Sequence, residues 1–492
     1  MIRYNHFIDG KSTVPSSGRW FDTDNPYRGK PWASVAEGNL DDVDHAVTAA
    51  QNALESEQWA GMTASERGLL LYRIADVLEG HASRLAELET RDNGKLVAEM
   101  RAQTAYLPAW YRYYGGLADK VEGTVPPIDK AGFFTYTRRE PVGVVAILTP
   151  WNSPLMLLSW KLAPALAAGC TVVAKPSEFT SASTVRMAEL FSEAGLPNGV
   201  FNVVTGLGQD VGEPLVNHPG ISKVSFTGSE ATGSKIGEAA GRDFKHVALE
   251  LGGKSPNIVF ADADLPSAVN GVVAGIFAAS GQTCIAGSRL LVQEEIHDKL
   301  LAEVVQLAST ARMGDPLDAT TQVGPITTRP QYAKVLQYIE IAQGEGAQVA
   351  LGGGPALRPE CGDGWFVEPT ILSGVDNQMR IAQEEVFGPV LAVIPFRDEE
   401  EAIRLANDSR HGLGAGVWTR DLGRAIRVSH QIRSGTVWVN TYRALSYLAP
   451  FGGFKASGLG RENGIAAIND YLETKTVWVN TGAPTANPFV IR

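Results

Sequence analysis

The stretch Val142-Gly143-Val144-Val145-Ala146-Ile147-Leu148-Thr149-Pro150 decides the fold. Its short, continuous, β-branched apolar run is the pattern of a strand buried on both faces, and Thr149-Pro150 ends it. A helical stretch follows over 154–168, opened by Pro154 at a position where a missing N–H costs nothing. A strand over 171–174 comes next, then a helix over 182–194, a strand over 200–204, a helix over 210–217, a strand over 223–226, a helix over 233–240 and a strand over 247–250. Buried strands alternating with helices predict a parallel, doubly wound, Rossmann-like sheet, which binds ligands at the carboxyl ends of its strands.

Upstream of this core, Phe7-Ile8-Asp9-Gly10-Lys11 reads as a hairpin, because Asp-Gly accepts the positive φ angles of a tight turn. Asn39 caps a helix whose apolar residues recur at Val43, Ala46, Val47, Ala50, Ala53 and Leu54, with Asp41 and Asp42 at the positive end of its dipole. A second helical segment over 66–100 is broken at Asn93-Gly94. Downstream of Gly252-Gly253 the alternation restarts: a strand over 257–260, a helix to 279, and strands over 290–293, 415–418 and 436–439 predict a second α/β unit. Two β-prone segments, 121–139 and 472–492, belong to neither sheet by pattern and read as edge strands that pair between subunits.

At 492 residues the chain exceeds what one core supports. The hydrophobic share of 44% and charged share of 20% are ordinary for a globular protein, and no apolar run is long enough to span a bilayer. The amino terminus lacks the apolar h-region of a secretory signal, so a cytoplasmic location is expected. Cys170, Cys284 and Cys361 are too few for a disulfide framework and too scattered for a metal cluster. A net charge of −11 argues against nucleic acid or an anionic membrane as partner and leaves a small molecule.

Five segments carry chemistry, each at a strand end or in a loop. Cys284, within Gly281-Gln282-Thr283-Cys284, is a thiol flanked by small residues, a candidate nucleophile. Glu250 ends an apolar strand just before Leu251-Gly252-Gly253, where backbone approaches closely, and is a candidate base. Asn152, after Thr149-Pro150-Trp151, offers an amide to a developing oxyanion. Lys175-Pro176-Ser177-Glu178 places a lysine and a carboxylate where they can hold ribose hydroxyls. In Phe226-Thr227-Gly228-Ser229 the strand-to-helix turn puts N–H groups and a helix dipole where a phosphate would sit.

Together with Glu385-Val386-Phe387-Gly388-Pro389 and Pro450-Phe451-Gly452-Gly453-Phe454-Lys455, these motifs closely resemble, in order, the signatures of the aldehyde dehydrogenase superfamily, and the similarity spans almost the whole chain. The resemblance implies a dinucleotide-binding domain of 1–120 and 142–252, a catalytic α/β domain of 253–456, and a β oligomerisation arm of 121–141 and 472–492. It makes Cys284 the nucleophile, Glu250 the general base, Asn152 the oxyanion donor and Glu462 a member of a proton relay. Leu148, Thr149, Trp151, Lys175, Ser177, Glu178, Gly208, Gly212, Phe226, Gly228, Ser229, Leu251, Glu385 and Phe387 match cofactor-contacting positions. Ser153, Met156, Leu157, Trp160, Thr283, Ile285, Arg443 and Leu445 match the substrate tunnel, with serine at 153 where a bulky aromatic is common. Arg443 either attracts an aldehyde bearing a carboxylate or forms an ordinary ion pair. The assembly implied is a homodimer or homotetramer.

The chemistry expected from this set is oxidation of an aldehyde to its carboxylate with NAD and water, through a thiohemiacetal and a thioester on Cys284. Only a thiolate attacks well, so Cys284 has to be activated by local positive potential or by proton transfer to Glu250. A carboxylate at Glu178 favours NAD over NADP, which stays open. The glutamate at 250 favours hydrolysis of the thioester over its transfer to coenzyme A, the enzymatic alternative; a non-catalytic protein retaining the fold is the other.

Overall fold

The computed structural model describes residues 1–485 and 487–489. At its centre is the stretch read first: Val144–Leu148 is a strand buried along its whole length. It pairs in parallel register with Thr171–Lys175 on one side, from Val144 opposite Thr171 to Leu148 opposite Lys175. On its other side it pairs with Lys223–Thr227, which in turn pairs with His246–Glu250. The chain thus winds away from Val144–Leu148 in both directions, and a crevice opens at the carboxyl end of the strand where the order reverses.

This eight-stranded sheet has antiparallel edges. The expected hairpin, His6–Ile8 with Lys11–Thr13, closes one side, and Gly458–Leu459 returns from far along the chain to pair with Leu249 and Glu250 on the other. The helix Pro154–Ala168 is almost wholly buried, because it is apolar on every face, and Gly169 in the left-handed region ends it. Asn39 caps Leu40–Glu55 in a reciprocal box with Asp42.

A second, seven-stranded sheet runs in the order 348–351, 370–373, 390–396, 289–293, 256–259, 414–418 and 436–439. All its neighbours are parallel except the edge strand Gln348–Leu351. The strands at 348–351, 370–373 and 390–396 are additions to the sequence reading, as is a small three-stranded sheet of Ile2–Tyr4, Trp20–Asn25 and Lys30–Ala36.

The helical segment expected over 66–100 proves to be two longer helices. Ala64–Asn93 ends at Gly94, whose φ of 75° only glycine takes cheaply, and Val97–Leu117 continues well past 100 because Trp110, Tyr111 and Tyr114 carry its buried face. The arm also differs from expectation. Phe133–Pro141 and Leu472–Asn480 pair with each other, antiparallel over nine residues, so their first partner is within the chain. Residues 121–132 form no strand, since Pro126 and Pro127 cannot donate to a ladder. Of the arm expected over 472–492, residues 486 and 490–492 lie outside the described residues. No helix among the described residues is long and apolar enough to cross a membrane.

Candidate active site

A cleft of about 880 Å³ opens at the crevice. Eleven residues singled out in the sequence line it: Leu148, Thr149, Trp151, Lys175, Ser177, Glu178, Gly208, Gly212, Phe226, Gly228 and Ser229. Ser229 caps the helix Glu230–Arg242, its hydroxyl accepting from the Thr232 N–H, so this helix dipole points into the cleft. Gly228 has to be glycine here, because a Cβ would stand 2.4 Å from the Phe226 ring. The Lys175 ammonium lies 3.2 Å from the Glu178 carboxylate, which fixes that carboxylate at the rim. Val216 and Ile236, unread in the sequence, join Phe226 in an apolar part of the lining. A helix N-terminus, an apolar slot and a rim carboxylate in a volume of this size fit a dinucleotide.

Three of the matched cofactor positions fall elsewhere. The Leu251 side chain is in the core, filling the space beside Gly233 where a Cβ would meet it at 2.5 Å, so it contributes packing and not a cleft wall. The Glu385 carboxylate accepts the Gly253 N–H at 3.1 Å and rests against Gly252, between the two sheets. Phe387, held at φ 60°, sets its ring edge-on to Trp151 at 5.2 Å and joins the cleft through that contact.

Cys284 is presented by a strained loop. After the helix Leu265–Phe277 the backbone passes through three left-handed residues, Ala279 and Ser280 at φ 53° and Gly281 at φ 70°. The two non-glycine positions cost about 1–3 kcal/mol each, so the surroundings must hold them. Ser280 Oγ donates to the Gly324 carbonyl at 2.7 Å; the Gln282 side chain accepts from the Thr327 N–H at 2.9 Å and donates to the Pro325 carbonyl at 3.2 Å. A Cβ on Gly281 would overlap the Gly388 carbonyl at 2.1 Å. Asn152, from the first sheet, donates one amide hydrogen to the Gln282 carbonyl at 3.0 Å, which locks its orientation two residues from the thiol and leaves its second hydrogen available.

Burial pushes the Cys284 thiol up to about 12, and the Glu385 and Glu250 carboxylates add to the shift. Of the two routes expected from sequence, each has a group in place: the Glu250 carboxyl and the Lys95 ammonium both lie close enough to act on the sulfur. Glu250 is 4% exposed, and neither carboxylate oxygen has a hydrogen-bond partner among the described residues. Burial holds its carboxyl well above the usual range, the Glu462 charge raises it further, and Lys161 and Arg461 pull it back only in part. Gly452 allows this approach, since a Cβ there would be 2.8 Å from Glu250 Oε1. Glu462 pairs with Lys161, both buried, in the core between helix Pro154–Ala168 and the returning chain. Lys161 escaped the sequence reading, being the one charged residue in an apolar helix with nothing to say which way it faced.

Of the matched tunnel residues, Leu157, Trp160 and Ile285 belong to one buried cluster against which Met156, Leu445 and Cys284 itself pack. Thr283 is next to Cys284 in the chain, its hydroxyl buried without a partner among the described residues. Arg443 lies at ion-pair distance from Glu99, its guanidinium 3.4 Å from that carboxylate. Ser153 meets a residue the sequence reading passed over, accepting a hydrogen bond from Lys95 Nζ at 3.0 Å.

The sequence profile of the aldehyde dehydrogenase family matches residues 13–477. The chain is 47% identical, over the full length of both proteins, to (Z)-2-((N-methylformamido)methylene)-5-hydroxybutyrolactone dehydrogenase of Acinetobacter baylyi. It is 43% identical to betaine aldehyde dehydrogenase of Bacillus subtilis, over 98% of this chain and 99% of that one. Among solved structures, betaine aldehyde dehydrogenase of Staphylococcus aureus in complex with NAD+ superposes with a TM-score of 0.97 at 41% identity, covering 99% of this chain and 96% of that one. An NAD+ complex of aldehyde dehydrogenase from Bacillus cereus gives 0.95 at 45% identity, covering 97% and 96%. With profile, relatives and architecture in agreement over nearly every residue, the chain belongs to the aldehyde dehydrogenase family.

Proposed function

We propose that this protein oxidises an aldehyde to its carboxylate with NAD and water, with Cys284 as nucleophile, Glu250 as base and Asn152 as oxyanion donor. The observation that carries the assignment is the convergence of a raised thiol, a buried carboxyl with unmet oxygens and a locked amide, supplied by separate strand ends and the strained loop. Glu250 takes the thiol proton, and the sulfur adds to the aldehyde carbon. The second hydrogen of the Asn152 amide, with the Cys284 backbone N–H, receives the new oxyanion; one such donor typically lowers the barrier by roughly 3 kcal/mol. NAD held in the cleft by residues such as Lys175, Glu178 and Ser229 would supply the hydride acceptor, and loss of hydride from this carbon leaves a thioester on Cys284. Once it has released the thiol proton to solvent, Glu250 takes a proton from water, whose oxygen attacks the thioester and frees the carboxylate as the sulfur leaves. Glu178 supports NAD over NADP, since a rim carboxylate accepts from ribose hydroxyls and repels a phosphate.

Assayed by NADH absorbance across a panel of aldehydes, the protein is expected to turn over without coenzyme A, and added coenzyme A is expected to stay out of the product. A coenzyme A thioester as product would establish the acylating reaction instead. The relatives' names specify a hydroxybutyrolactone and betaine aldehyde, each with polar groups near the oxidised carbon, and a polar aldehyde is the class proposed here.

Because Glu250 ionises above the ordinary carboxyl range, turnover is expected to rise with pH through that ionisation. Glu462→Gln removes a like charge and leaves Lys161 a neutral acceptor, so both changes favour the ionised Glu250. The ascending limb of the kcat profile is expected to move to lower pH by roughly one unit. A limb that stays or moves upward would remove Glu462 from the relay.

The domain division read from sequence belongs to the same proposal, as does a cytoplasmic location. So does assembly as a homodimer or homotetramer: the arm leaves Phe133, Phe134, Trp478 and Val479 exposed, an apolar face that a second copy would cover.

A further inference from the structure

The turn Asn93-Gly94-Lys95 breaks two helices and is also fastened to the catalytic loop. The Asn93 carbonyl accepts from Thr327 Oγ1 at 2.6 Å, in the segment that holds Gln282, and the Lys95 N–H donates to Asn93 Oδ1 at 2.9 Å. Lys95 is thereby delivered inside the protein at 2% exposure. An ammonium has three hydrogens to place, and one goes to Ser153 Oγ at 3.0 Å. Among the described residues no carboxylate lies within ion-pair distance of it. Of the acidic side chains whose fields reach it, Glu99 pairs with Arg443 at 3.4 Å, and Glu89 accepts the Leu155 N–H at 3.0 Å through one oxygen, its other having no partner among the described residues. Burial lowers the Lys95 ammonium, Glu99 and Glu89 support it, Arg443 opposes it, and Cys284 is close enough to act on it. A buried cation with unmet donors beside a reactive thiol is costly unless something arrives to meet it.

We propose that Lys95 and Ser153 form a subsite in the substrate tunnel that receives an oxygen acceptor, a carboxylate or carbonyl, carried by the aldehyde bound at Cys284. The inference rests on the tunnel and nucleophile proposed above and narrows their substrate class. It places the recognising cation at Lys95, since Arg443 is already paired, and it makes serine at 153 functional: a bulky aromatic there would take the space the contact needs. A cationic aldehyde is disfavoured by the same charge.

The test compares kcat/KM for 4-oxobutanoate, methyl 4-oxobutanoate, butanal and betaine aldehyde in the wild type and in Lys95→Met and Lys95→Arg. The wild type is expected to prefer both oxygenated aldehydes to butanal by at least about tenfold, the scale of one charged hydrogen bond, with 4-oxobutanoate ahead of its ester. In Lys95→Met that preference is expected to collapse toward unity through KM, with Lys95→Arg restoring part of it. Equal loss on all four aldehydes, or a wild type that prefers butanal or betaine aldehyde, overturns the subsite while leaving the nucleophile assignment intact. A wild type that oxidises none of them overturns the catalytic reading itself, and the wild-type ratios decide the matter even if a variant fails to fold.

Discussion

Glu250→Gln is expected to form NADH once per active site and then all but stop, its steady turnover falling by about 10³-fold. Hydride leaves before water is needed, so a stoichiometric burst survives while the thioester accumulates. The burst itself slows, because the thiol is pushed up to about 12 and loses the carboxyl that accepts its proton. Its rate is then expected to climb with pH, since the thiolate fraction of a raised thiol grows about tenfold per unit below its midpoint. Stopped-flow absorbance separates the phases. Loss of burst amplitude together with turnover would deny Glu250 its place in hydrolysis.

Cys284→Ala is expected to remove both phases, by about 10⁵-fold or more, the order of effect seen when a covalent nucleophile is deleted. NAD binding is expected to persist, because the cleft walls are built by the first sheet and not by the loop that carries the sulfur. Calorimetric titration with NAD checks this point, and loss of binding alongside activity would reveal a collapsed loop instead of a missing thiol. The alanine suits the comparison, since it leaves the left-handed residues at 279–281 and their braces untouched.

What the sequence disclosed followed from pattern. Strands buried on both faces, such as Val144–Leu148, are continuous apolar runs, and parallel topology follows from helices between them. Glu250 and Asn152 stood out as candidates because each ends or follows such a strand, and Cys284 because it follows an apolar helix within a motif of small residues. Charged groups in the interior were not: Lys161 lies within an otherwise apolar helix and Lys95 looked like part of a helix break, yet both are buried. Burial of a cation depends on residues distant in the chain, as Glu462 is from Lys161 and Ser153 from Lys95. Arg443, though not buried, likewise pairs with a residue distant in the chain, Glu99 of the helix Val97–Leu117. The surroundings of Cys284 were hidden for the same reason, because the carboxylates that raise its thiol come from segments no local reading could bring together. Short strands such as Trp20–Asn25 and Gln348–Leu351 were missed because they are partly exposed and lack a long apolar run.

The central claim is that the oxidised substrate is, for a time, a thioester of Cys284. Mixing Glu250→Gln with NAD and a substrate aldehyde, quenching in acid after the burst and mapping the digested protein by mass spectrometry tests it directly. The predicted result is one adduct per chain, on the peptide holding Cys284, with the mass of the aldehyde less a hydride and a proton. NADH formed with no adduct there, or an acyl group on Cys170 or Cys361 instead, would contradict it.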